Sequence, residues 1–229
     1  MKRSVSSGFV VAFLCWAGVA LAQEPQQPAQ VSYGRGQGWS MLAAKTVGQG
    51  STAMIGQVGW PGVSLGVLHG AANRFDLGGK LTFNYGQEGV VTRVVPGLKL
   101  QAWTRLQLVD TPRLGLALSF APGPFFYFHD YGTTVGLALP IGLTLGIPVG
   151  SALMLNAGID FPFYVTFGAG GGPVFPVLLG GGLEYFVSRG LAVTFNVRMG
   201  PSIFPEADFR GRDRALFTLD AMFGVAWKL

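Results

Sequence analysis

The chain is 229 residues long, 49% hydrophobic and only 12% charged, with a mean hydropathy of +0.42. Soluble domains carry about a quarter of their residues charged, so this chain is too apolar for an ordinary soluble protein and its expected surroundings are lipid. The net charge of +5 forms no basic stripe, which argues against a nucleic-acid partner, and a single cysteine excludes a disulfide framework.

In chain order, the first 22 residues have the three parts of a secretory signal peptide. Lys2 and Arg3 form its charged start and Gly8 to Val19 its apolar stretch; Ala20-Leu21-Ala22 is the small-x-small site cut before Gln23. The apolar stretch falls short of the ~20 residues that span a bilayer as a helix. Cys15 leaves with this leader, so the mature chain has no thiol. Residues 23–51 are expected to be a flexible N-terminal segment. Gln23–Gln37, rich in Gln, Pro and Gly, reads as a lead-in. Trp39–Val47 fits a further strand, a short helix or a segment inside a lumen.

From residue 52 the pattern has a period of two. Strands are predicted at 52–60, 62–71, 75–86, 94–108, 114–121, 133–146, 152–166, 174–187, 190–200 and 215–229. In the sixth, Val135, Leu137, Leu139, Ile141, Leu143 and Leu145 alternate with Gly136, Ala138, Pro140, Gly142, Thr144 and Gly146. A helix turns about 100° per residue and would smear such an alternation around its circumference, whereas a strand puts it on two faces. Pro140 and Pro148 would each cost a helix interior about 3 kcal/mol, which sets aside the rival reading of helical membrane spans.

With both barrel ends on one side, the connections 71–74, 109–113, 147–151 and 188–189 are short. Those on the other side, 87–93, 122–132, 167–173 and 201–214, are longer, apart from a tight Trp60-Pro61-Gly62 corner. Short turns, longer outer loops and an even strand number describe a bacterial outer-membrane barrel. In lipid a sheet must satisfy its own backbone, so it has to close. The expected fold is all-β, an antiparallel transmembrane β-barrel of about ten strands over 52–229, with eight or twelve strands as alternatives. A soluble β-protein is the other reading of the same alternation.

The last strand is more specific. Phe223, Val225, Trp227 and Leu229 alternate to the chain end and resemble the terminal assembly signal of outer-membrane β-barrel proteins, which usually close on Phe or Trp. The resemblance implies folding by the barrel-assembly machinery, an outer-membrane location and contact with outer-membrane lipids. It carries no activity, because pores, adhesins, enzymes and anchors share this architecture.

The expected function is a small porin-like channel or structural barrel, with no catalytic residue, metal or cofactor. Lys80, Arg105, Asp160, Glu184, Arg198 and Asp220 are expected to face the lumen and to pair there, since a charge in lipid is expensive. The inner faces of the fifth, sixth and eighth strands are mostly small residues, which leaves room for a water path, an apolar ligand or the N-terminal segment. Arg210, Arg212 and Arg214 offer bidentate contacts to lipopolysaccharide phosphates, which makes a sealed barrel with binding outer loops the alternative. A third reading is an outer-membrane hydrolase built on His129-Asp130 with Glu206, Asp208 and Asp213. His69 and His129 belong at opposite ends and cannot form a pair. Phe125 to Phe128, Tyr131, Phe161, Phe163 and Tyr164 read as an interface girdle.

Overall fold

A computed structural model describes residues 38–130, 132–168, 171–205 and 215–229, all within one unit, Tyr33–Leu229. The expected leader and Gln23–Gln37 lie outside the described residues. From residue 52 the described chain is almost wholly extended. The strands are β1 (Thr52–Trp60), β2 (Gly62–Ala72), β3 (Phe75–Gly86), β4 (Val94–Asp110), β5 (Gly115–Phe120) and β6 (Gly123–His129). They continue with β7 (Gly132–Val149), β8 (Leu153–Phe167), β9 (Pro173–Pro176), β10 (Leu178–Phe186), β11 (Leu191–Ile203) and β12 (Ala215–Lys228).

Strands adjacent in the ring pair antiparallel, and β12 returns to β1 with Met54 opposite Trp227 and Val58 opposite Phe223. The twelve-stranded sheet therefore closes in a ring. β5 and β6 lie end to end between β4 and β7, and β9 and β10 lie end to end between β8 and β11, so the twelve strands fill ten places. Closure removes the free edges that an open sheet would present.

Two expectations need correction. The predicted outer loop 122–132 is mostly strand: Gly123, Phe125 and Tyr127 turn inward in period two, and His129 pairs directly with Gly132. Pro122 interrupts the ladder by lacking an N–H but does not turn the chain. The predicted strand 174–187 is broken at Val177, beside Pro176, for the same reason. In addition, β11 runs on to Ile203 and β6 to His129, so two of the connections expected to be long are shorter and the contrast is weaker than expected.

The burial pattern is inverted relative to a soluble protein. Leu65, Leu100, Leu179 and Phe217 stand 55–59% exposed on the outer face, while Asp76, Glu184 and Arg105 are at most 3% exposed inside. Where rings occupy the interior, the wall gives way to glycine. Gly97 and Gly136 lie under Tyr127 and Phe125, and a Cβ on Gly136 would overlap the Phe125 ring and the Val165 carbonyl. Gly136→Val is expected to lower stability by about 1–3 kcal/mol in denaturant unfolding, as overpacking does. Gly79→Ala, whose Cβ would meet only the Gln101 carbonyl at 3.5 Å, should leave the midpoint nearly unchanged.

Candidate functional site: a cavity between two interior seals

One end of the ring carries the short turns after β2, β4, β7 and β10, together with the start of β1 and the end of β12. This end is filled by the chain preceding β1. Trp39, Ser40, Met41, Ala43, Ala44 and Val47 are buried, although the segment has no helix and joins the sheet only by a bridge between Gln49 and Gly70. Part of the stretch expected to be flexible is thus packed inside the ring. A run without regular structure can be buried only if its backbone groups find partners elsewhere.

Two charged side chains of the wall supply them. The Glu184 carboxylate on β10 accepts the N–H groups of Met41 (2.8 Å), Leu42 (3.2 Å) and Ala43 (3.3 Å), along with the Ser40 hydroxyl. The Arg105 guanidinium on β4 donates to the carbonyls of Ser40 (2.7 Å), Ala43 (3.1 Å) and Met41 (3.3 Å). Arg105 also grips Asp76 through Nε and Nη2, at 2.9 and 2.6 Å, and Asp76 accepts the Val47 N–H at 3.2 Å. The carboxylates take the segment's donors and the guanidinium takes its acceptors. Trp39 anchors the start, donating to the Arg189 carbonyl at 2.8 Å and meeting Phe186 edge-on. Glycines make the room: a Cβ on Gly115 would stand 3.0 Å from the Ala44 Cβ, and one on Gly146 would stand 2.9 Å from the Ala44 nitrogen.

At the opposite end residues 87–93, expected as an outer loop, reach across the ring, where Val90 bridges Thr218 of β12. A 3-10 turn at Gln87–Gly89 folds inward, with Gln87, Glu88 and Gly89 buried. Glu88 holds φ +46°, a left-handed conformation that a non-glycine residue keeps only when its surroundings enforce it. They do so here: Lys99 pairs with its carboxylate at 2.7 Å, Tyr127 donates to the same carboxylate at 2.8 Å, and the Tyr127 oxygen accepts the Glu88 N–H. Phe125, Tyr127, Tyr164, Ala138 and Val174 pack beneath the turn, and the Arg93 guanidinium lies 4.7 Å from the Phe204 ring centre.

Between these two inward segments lies a partly open cavity of about 250 Å³. Arg198 crosses part of it to reach Asp160 at 2.8 Å and Asn156 at 3.2 Å, passing over Gly158. Lys80 and Asp220 also line the cavity. Their charges attract, yet among the described residues neither has an opposite charge within 4.0 Å.

All six residues expected at the lumen stand on the interior side. Arg105 and Glu184 bind the N-terminal segment, Asp160 and Arg198 pair, and Lys80 and Asp220 face the cavity. Asp76 and Lys99, outside the expected set, lie on the same polar faces that period two assigns to the interior. Glu88 had no signal, because nothing in a loop's composition says that it folds inward. Phe125, Tyr127 and Tyr164 belong to the interior and not to an outer girdle. His69 contacts Thr52 at 2.9 Å near the turn end, and His129 closes β6 at the other end. Arg210, Arg212 and Arg214, with Glu206, Asp208 and Asp213, lie outside the described residues.

Fold and site together define a closed antiparallel ring with a charged interior that chain segments enter from both ends. No protein-family model matches this sequence, and no curated protein matches it either. Glu184 organises the first seal, and truncating it strands the N–H groups of Met41 and Leu42 and the Ser40 hydroxyl, each worth about 1–3 kcal/mol when buried without a partner, while Ala43 keeps its bond to Ser40 Oγ at 2.6 Å. Glu184→Ala is therefore expected to release the segment. Trypsin should then cut after Lys45 at least tenfold faster than in the parent protein, with the ring itself still resistant.

Proposed function

We propose that the chain is a small outer-membrane β-barrel protein, porin-like in build, whose lumen is held shut by its own N-terminal segment. The observation that carries this reading is the inverted burial, with leucine and phenylalanine outside and ion pairs inside. Water gains nothing from such a surface, whereas hydrocarbon accepts it and makes internal pairing of charges obligatory. Strands of nine or more residues at nine of the ten ring places, with the end-to-end pair β5 and β6 at the tenth, meet the ~9–11 residues that cross a bilayer at a tilt. The signal-peptide-like start and the C-terminal resemblance agree with export, assembly by the barrel machinery and residence among outer-membrane lipids.

The filled lumen favours a sealed barrel over a standing pore. The segment before β1 fills one end, so water passes only if that segment leaves. Expressed with its own leader, the protein is expected in the membrane fraction, with a gel mobility that shifts on boiling. Recovery as a soluble, heat-insensitive species would remove the membrane reading. In planar bilayers the intact protein should be silent, and a variant lacking residues 38–48 should give discrete conductance steps. Steps of equal size and frequency in both would show that the segment does not close the lumen.

A further inference from the structure

The wall of the ring has one rung without hydrogen bonds. Pairing of β8 with the β9–β10 place lapses between Asp160 opposite Leu178 and Tyr164 opposite Val174. Even-numbered residues of β8 turn their N–H and C=O groups toward that place: Thr166 donates to Gly172 at 3.1 Å, and Ala152 accepts from Phe186 at 2.7 Å. The register is the same on both sides of the lapse, so Pro162 falls opposite Pro176 where both strands should exchange bonds. Two prolines bring two carbonyls and no N–H.

Other prolines stand at the same level of the wall, but each interface there keeps a bond. Ala121 donates to Pro140 at 3.0 Å, Ala102 to Pro122 at 2.9 Å, and Val177 to Pro201 at 2.9 Å. The Ala121 carbonyl, which Pro140 cannot serve, takes the Gln101 side-chain amide at 2.6 Å instead. Among the described residues nothing replaces the lost bonds at Pro162 and Pro176. Outside this rung, Phe163 and Phe175 lie with ring centres 5.0 Å apart. Inside it, the cavity reaches Asp160, Pro162 and Leu178.

We propose that this rung is a side entrance through which a lipid-derived amphiphile passes from the bilayer into the cavity, its chain between Phe163 and Phe175 and a zwitterionic headgroup on Lys80 and Asp220. The proposal rests on the membrane reading above. Separating the strands at this rung breaks no hydrogen bond of its own, and the cavity lies directly inside it. The outer mouth is aromatic and faces hydrocarbon, so it suits the apolar chain left in the wall once the headgroup is inside. Lys80 and Asp220 are opposite charges without close partners on the cavity wall. A headgroup bearing one anion and one cation answers both.

The entrance can be locked chemically. Phe163 and Phe175 are directly opposite and non-hydrogen-bonded, a geometry in which Cα atoms sit about 4.5 Å apart and a disulfide closes without strain. The sole native cysteine is Cys15, so F163C/F175C is made in a Cys15→Ser background. F195C/F223C, an equivalent outward pair on the unbroken β11–β12 ladder, serves as the control. Each protein is held in vesicles with lysophosphatidylethanolamine, recovered, and weighed by native mass spectrometry.

One lipid per chain is expected in the parent, in the oxidised control and in reduced F163C/F175C, with at least a tenfold loss when F163C/F175C is oxidised before exposure. Lys80→Met/Asp220→Asn should lower retention similarly while keeping the boiling-dependent gel shift. Equal retention in the oxidised and reduced forms overturns the side entrance. Retention of a plain fatty acid as strong as that of the zwitterionic lipid, unaffected by Lys80→Met/Asp220→Asn, overturns the headgroup assignment. Loss of the gel shift in the parent itself would mean that the membrane reading had failed, a result separate from either.

Discussion

A strand that turns leucine to one face and charge to the other has two ways to bury one of them, and the composition of this chain leaves one. The apolar face is too extensive to be covered by the remainder of the molecule, so it lies outside, and the backbone must find its hydrogen bonds within the sheet. Closure of β12 on β1 meets that demand. The other features follow from closure, because a closed ring has an interior and the charges inside it need partners.

The interior is filled by chain as well as by side chains. Ser40–Val47 has no ladder of its own, and its backbone is served by Glu184, Arg105 and Asp76. A carboxylate that collects several N–H groups and a guanidinium that collects several carbonyls are two halves of one solution, since irregular backbone exposes both kinds of group. At the other end Glu88 performs a related task, drawing Lys99 and Tyr127 around an inward turn. Both seals exploit the wall's small residues: Gly115 and Gly146 beside Ala44, and Gly97 and Gly136 beside aromatic rings. The glycine content therefore marks where the interior is occupied.

Proline has a different effect. At the β5–β6 and β9–β10 breaks it removes ladder bonds without turning the chain, and the strand resumes with the same face inward. That explains why period two survived across Ala121–Pro122 while a proline-and-glycine reading of the segment predicted a loop. It also leaves the rung at Pro162 and Pro176 without a ladder bond.

The order of the strands, the two faces of each, and the inward position of Lys80, Arg105, Asp160, Glu184, Arg198 and Asp220 were legible in the sequence, because a two-residue period is a local property of an extended chain. Tertiary structure alone decided that Trp39–Val47 lies inside the ring, that Gln87–Arg93 folds over the opposite end, and which buried charges meet. Glu184 and Ser40 are 144 residues apart, and no pattern along the chain encodes such a contact. It exists because closure of the ring brings β10 and the segment before β1 into the same small volume, where each provides what the other's polar groups lack.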